Sequence, residues 1–188
     1  GLGVIYVLTH DSIGVGEDGP THQPVETIPS LRAMPNMLVL RPGDGNETSG
    51  AYKIAIKNRN RPSALCLSRQ GMPNQENTSI DKVALGGYIV SDCEGTPDVI
   101  FIGTGSELNL CMEASKEISS LGKKTRVVSM PCVELFEEQE QSYKESVLPS
   151  NVKKRVVVEA AHSFGWHKYV GLDGACITMD RFGASAPG

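Results

Sequence analysis

The sequence predicts an α/β protein: two consecutive three-layer α/β units with mainly parallel sheets. Two observations predict it. Short apolar runs alternate with segments whose apolar residues recur every three or four positions, the strand–loop–helix order of a parallel sheet. A polar stretch over Gln70–Asp81, holding Gly, Pro and two Asn, then breaks the series, which restarts beyond it. The chain divides on this pattern into a unit over 1–70, a linker over 71–82 and a unit over 83–188. Its 188 residues can bury about 70% of their unfolded surface without a disulfide or metal staple.

Each element has a local reason. Val4–Leu8 reads as a buried strand, and a Gly-rich loop over Asp11–Pro20 follows it. Val25–Met34 reads as a helix that Pro35 ends. Met37–Leu40 is a short strand. Asn46 suits the cap of a helix over Glu47–Lys57, with Ala51, Ile54 and Ala55 on one face. Ser63–Leu67 is the next strand. In the second unit Tyr88–Ser91 and Val99–Ile102 are strands. Glu107–Leu121 is a helix with Leu108, Cys111, Met112, Ser115 and Ile118 at helical spacing. Thr104-Gly105-Ser106-Glu107 fits a capping box, and Gly122 fits the stop. Arg126–Met130 is a strand, Gln139–Val147 a helix stopped by Pro149, Arg155–Val158 a strand, and Ala175–Met179 a last strand. Both ends of the sequence read as cut, which predicts a fragment.

Composition excludes several function classes. With 18 Lys+Arg against 22 Asp+Glu, the net charge is −4, without the basic excess of a nucleic-acid binder. The apolar runs fall far short of the ~20 residues of a membrane span. No basic segment followed by an apolar one opens the sequence, so no secretory signal is visible. The five cysteines, Cys66, Cys93, Cys111, Cys132 and Cys176, are odd in number and widely spaced. They read as small apolar residues of a reducing compartment rather than as zinc ligands.

The densest polar stretch runs from His10 to His22 and follows the carboxyl end of a strand, where open α/β sheets place ligands. It holds two histidines, which exchange protons near neutral pH, and three acidic residues, which accept bonds from hydroxyls. The embedded Gly14-Val15-Gly16-Glu17-Asp18-Gly19 matches GxGxxG. A dinucleotide site is not expected, because Glu17 and Asp18 would repel a pyrophosphate and Pro20 removes an amide donor. Arg69 ends another strand, at the same sheet edge as His10 if the strands are parallel, and a guanidinium there suits a phosphate. Gly103–Ser106 precedes a helix and is a second candidate anion site, although capping alone accounts for it. His162, Trp166 and His167 cluster without a carboxylate or thiol at ligand spacing, which reads as packing or an interface.

The stretch from His10 to Pro24 resembles the signature of the transketolase family. Further matches are Ser30-Leu-Arg32, Met34-Pro-Asn36, Leu67-Ser-Arg69-Gln70, Gly103-Thr-Gly-Ser-Glu107, Arg126-Val-Val-Ser-Met-Pro131, Tyr143-Lys-Glu-Ser-Val-Leu-Pro149 and Phe182-Gly-Ala-Ser-Ala-Pro187. The Gly45–Tyr52 stretch looks like plant and algal forms. The resemblance implies that residues 1–70 are the end of a pyrimidine-binding domain and 83–188 most of a C-terminal domain. It implies transfer of a two-carbon ketol unit from a ketose phosphate to an aldose phosphate, using thiamine diphosphate and Mg2+ or another divalent cation. By motif, His10 and Arg69 would bind the sugar's phosphate, Asp18 would read a hydroxyl, and His22 would stand beside the reacting carbons. Glu17 would serve the loop or a dimer interface. The family's diphosphate-binding and metal-ligating motifs are missing, so the chain alone is expected to be inactive. The implied partners are sugar phosphates and a second subunit, without nucleic acid or membrane. The implied place is the plastid stroma or cytoplasm. Alternatives are another thiamine-diphosphate enzyme, such as a deoxyxylulose-phosphate synthase or a dehydrogenase E1 component, and a non-catalytic dimerisation or regulatory module.

Overall fold

The structure, a computed structural model, describes residues 2–16 and 18–185. It is mixed α/β with mostly parallel sheets. The first sheet has the order β1-β3-β2, from β1 (Ile5–Thr9), β2 (Leu38–Leu40) and β3 (Ser63–Leu67), all parallel. Helices α1 (Thr27–Arg32) and α2 (Gly45–Lys57) make its crossovers. β2 and most of β3 are buried on both faces, as their unbroken apolar sequences require.

β1 departs from the expected buried strand. All five of its residues are exposed, because it pairs only with β3 at the sheet edge and nothing described here covers it. The apolar run fixed the strand but not its neighbours. α1 is shorter than the expected Val25–Met34. The cap of α2 also differs: Asp44 is the N-cap, its Oδ1 accepting from Glu47 N at 2.9 Å. Asn46 lies in the first turn and donates to Thr78 Oγ1 at 3.1 Å. The second Asp44 oxygen holds the stretch before β4, accepting from Gln75 N at 3.0 Å and Thr78 Oγ1 at 2.5 Å. One carboxylate thus starts the helix and anchors the polar stretch over it.

The second sheet has the order β4-β6-β5-β7-β8, from β4 (Tyr88–Ser91), β5 (Val99–Gly103), β6 (Thr125–Ser129), β7 (Arg155–Val158) and β8 (Ala175–Ile177). Only β4 is antiparallel among these pairings. Helix α3 (Glu107–Ser120) buries Leu108, Cys111 and Ser115 against β5 and β6. α4 (Val133–Glu137), which the sequence pattern did not announce, buries Phe136. α5 (Gln141–Val147) and α6 (His167–Val170) follow. Trp166 lies in this unit's core with Ile100, Met130, Phe136 and Val157, so the packing expectation holds for it. Cys66, Cys111 and Cys132 are buried, as expected; Cys93 and Cys176 are only half-buried. Burial pushes the Cys66 and Cys111 thiols up to about 12, which keeps them protonated and inert.

Polar side chains join the two units. Glu47 of α2 is fully buried and accepts from Tyr88 Oη and Ser129 Oγ, each at 2.6 Å, and from Gly43 N at 2.7 Å. Glu159 receives Arg32 through two bonds of 2.7 and 2.9 Å and Trp166 Nε1 at 2.6 Å. Burial opposes the Glu159 charge, but the Arg32 guanidinium prevails and holds its pKa below the usual carboxylate value.

Among the described residues no cation pairs with Glu47. Burial, only partly opposed by the bonds from Ser129, Tyr88 and Gly43, raises its pKa. The folded chain then holds this proton more tightly than the unfolded chain. Its contribution is fully present below the unfolded pKa of about 4.3 and is lost as pH rises through the folded pKa. Stability relative to Glu47→Gln should therefore fall from acid to neutral pH. Urea unfolding of both proteins across that range checks it; parallel pH profiles would refute the assignment.

Candidate active site

The candidate site is built at the carboxyl edge of the first sheet. Thr9 pairs with Leu67 in the parallel register, and Asp11 N donates to Leu67 O at 3.3 Å. The chain therefore leaves β1 at His10 and β3 at Ser68 on one edge, and His10 and Arg69 share it, as the parallel arrangement requires. His10 turns the chain with a φ of 62°, unusual for a residue with a Cβ and enriched at functional turns. Ser12 then caps a 3-10 turn over Ile13–Val15. Gly16 and Gly19 adopt φ of 78° and 82°, which Gly accepts without strain. A second 3-10 turn over Pro20–His22 closes the loop. No long helix opens after Gly19, which agrees with setting the dinucleotide reading aside.

The two histidines face one cavity of about 360 Å³, with Thr9, Thr21, Glu26 and Phe182 among its walls. Both are exposed, and each has Nδ1 occupied locally, His10 by Thr9 Oγ1 and His22 by Thr21 Oγ1, both at 3.0 Å. Nε2 of each is left for a ligand. Asp18 and Arg69 are exposed but are not among the cavity walls. Arg69 shares the sheet edge, and Asp18 lies on the loop between the histidines. Glu17 lies outside the described residues.

Beneath the loop lies a buried ionic cluster that sequence reading missed. Arg41, directly after β2, is fully buried. Its Nε donates to Asp11 Oδ2 at 2.7 Å, and its Nη1 donates to Thr104 O at 2.7 Å and Glu107 Oε2 at 2.5 Å. Burial disfavours the charged guanidinium, but Glu107 and Asp11 more than offset it and raise its pKa above the usual arginine value. Asp11, next to His10, is thereby fixed from below. The one sequence signal was a charge continuing the apolar run Met37–Leu40 without a break.

The same cluster corrects two expectations about Gly103–Ser106. Ser106 makes no side-chain cap; its Oγ donates to Glu107 Oε1 at 2.5 Å, and Glu107 also accepts from Ala160 N at 2.9 Å. The capping box fails because Glu107 is drawn to Arg41. The turn is no open anion site either. A Cβ on Gly105 would lie 2.6 Å from Arg41 Cζ, so the guanidinium already fills that space.

Two family descriptions match most of the chain. Residues 1–75 match the transketolase pyrimidine binding domain, and residues 86–188 match the transketolase-like C-terminal domain. The chain belongs to the transketolase family. A transketolase of Nostoc sp. is 63% identical over 188 residues, covering 99% of this chain and 28% of that protein. The chloroplastic transketolase of Solanum tuberosum is 60% identical, covering 98% of this chain and 25% of its own length. A solved transketolase from Pichia stipitis, described as a complex with sedoheptulose-7-phosphate, is 46% identical with a TM-score of 0.92, covering 98% of this chain and 26% of its own. The chain thus spans about a quarter of the length of these three relatives.

The residues present do not fit a divalent cation. Among the described residues no three His, Cys, Asp or Glu side chains gather as a metal site. The buried carboxylates Asp11 and Glu107 are turned onto Arg41, and Glu159 onto Arg32.

Proposed function

We propose that this chain forms the sugar-phosphate side of a transketolase active site. The whole protein transfers a two-carbon ketol group from a ketose phosphate to an aldose phosphate, with thiamine diphosphate and a divalent cation as cofactors. It works as a homodimer in the plastid stroma, in reductive pentose phosphate metabolism, and the chain alone is inactive. Residues 1–70 belong to the pyrimidine-binding domain and 83–188 to the C-terminal domain. The observation that carries the reading is the β1–β3 register, which sets the His10–His22 loop and Arg69 on one edge, with both histidines facing one cavity.

Within it, His10 and Arg69 bind the substrate phosphate, since fixed cationic and N–H donors suit its oxygens. Asp18 accepts a bond from a substrate hydroxyl. His22 donates a hydrogen bond or carries a proton beside the reacting carbons, from the Nε2 that Thr21 leaves open. The regulatory-module alternative loses support, because Arg41 occupies the Gly103–Ser106 turn that could have held an anion in the C-terminal unit.

The test is ketol transfer by full-length enzyme carrying His22→Ala or Asp18→Ala. His22→Ala is expected to lower kcat about 100-fold or more, the usual worth of a positioned proton carrier. Asp18→Ala is expected mainly to raise KM. Unchanged kinetics for both would refute these roles.

A further inference from the structure

We propose that the segment Phe182–Ser185 is a working wall of the sugar-phosphate site, with Phe182 as a specificity-determining residue and Gln23 as the positioning residue that holds the segment in place. The proposal rests on the sugar-phosphate reading of the His10–His22 cavity and goes beyond it by bringing in the far end of the second unit.

The cavity holding His10 and His22 takes nearly all its walls from residues 9–27; Phe182 is the exception. It is an aromatic ring 67% exposed beside two polar histidines. A ring of this kind brings no donor or acceptor. It offers a flat apolar face for the C–H side of a polyol and sets the length and width of what fits. His10 and His22 supply polar contacts, and Phe182 supplies shape, the usual division of labour in a small-molecule site.

Gln23 fastens this wall to the loop. It directly follows His22 and is 4% exposed. Its backbone N–H donates to Pro20 O at 3.3 Å and closes the turn that carries His22. Its Nε2 donates to Gly16 O at 2.8 Å and to Ala184 O at 3.3 Å. One buried amide therefore ties the middle of the loop, its end and the distant segment. The fit leaves no slack: a Cβ on Gly183 would lie 1.8 Å from Gln23 Oε1. On the other side of the loop, Gly19 approaches Ser185, whose Cβ would lie 3.5 Å from an added Cβ. The segment is also fixed upstream, since His162 N donates to Val25 O and Met179 N to Ala161 O, both at 2.9 Å. Phe182 is thus held at the cavity by bonds on both sides of it.

The test uses full-length enzyme with a phosphorylated ketose donor. Phe182→Ala is expected to raise KM about tenfold with kcat within about twofold, and Phe182→Leu to restore most of the loss, as removal of uniform binding surface requires. Gly183→Ala should raise KM similarly. In a Gln23→Ala background it should add little, because the atom it strikes is gone. His10→Ala serves as the reference. If His10→Ala raises KM while Phe182→Ala and Gly183→Ala do not, the wall proposal is overturned and the phosphate reading stands. If none of them raises KM, the phosphate reading fails and takes the wall with it. An equal effect of Gly183→Ala with and without Gln23 would remove Gln23 from the positioning role.

Discussion

Replacing Arg41 with methionine is expected to destabilise this chain by about 3–5 kcal/mol, the usual cost of stranding buried charges. Arg41 is fully buried and faces Asp11 and Glu107, which are themselves buried. Methionine fills similar space, so packing changes little, but two carboxylates lose their common cation. Thr104 O loses the nearer of its two donors and keeps Glu107 N at 3.3 Å. Adding Asp11→Asn and Glu107→Gln to Arg41→Met should recover a substantial part of the loss, because no charge is then left unpaired. Urea unfolding followed by the fluorescence of Trp166, the single tryptophan, measures both. A single substitution costing below about 1 kcal/mol, the range of an exposed pair, would show that the cluster is solvated and not a structural tie.

The same cluster ties the two units together. Arg41 directly follows β2 of the first sheet, and Glu107 opens α3 after β5. Arg32 and Glu159, and Glu47 with Tyr88 and Ser129, repeat the pattern elsewhere along the junction. Apolar contacts continue across it too, with Cys132 in one cluster with Leu38, Leu40 and Leu65. Fixing Asp11 fixes the residue after His10, so the second unit supports the His10–His22 loop from beneath and also reaches its cavity at Phe182.

Much of this was legible in the sequence where local chemistry decides. Ser63–Leu67, Tyr88–Ser91 and Arg155–Val158 are strands over the expected residues, since buried strands are apolar runs bounded by turn residues. Gly122 stops α3 with a φ of 79°, as a glycine there should. What failed depended on partners far along the chain. The exposure of β1 is set by what lies beside it, not by its own residues. The cap of α2 went to Asp44 over Asn46 because Asp44 also serves Gln75 and Thr78, about thirty residues on. Glu107 left its capping role for a guanidinium that periodicity places in the other unit. The common edge of His10 and Arg69 was legible from the parallel arrangement, whereas the roles assigned to His10, Asp18, His22 and Arg69 came from the motif alone. Gln23 and Phe182 lay within matched stretches, but no chemistry singled them out there, since an amide and an aromatic ring acquire meaning only from what they touch.

Selectivity for phosphorylated substrates provides the sharpest test of the edge itself. In full-length enzyme, Arg69→Ala and His10→Ala are each expected to raise KM for a ketose phosphate by roughly 10–100-fold, the worth of a charge-assisted hydrogen bond. Neither should change KM for the corresponding unphosphorylated ketose by more than about twofold, because in the proposed roles the groups lost touch only the phosphate. The double variant should fall short of the product of the two effects, since in the proposed site both donors serve one phosphate and groups that share a ligand couple. Arg69→Lys is expected to recover only part of the affinity, because an ammonium keeps the charge and loses the paired donors. Equal losses for phosphorylated and unphosphorylated ketoses would assign these residues to the fold of the loop instead. A phosphate-specific loss from Arg69 alone would leave His10, with its left-handed backbone, as the turn that aims the loop.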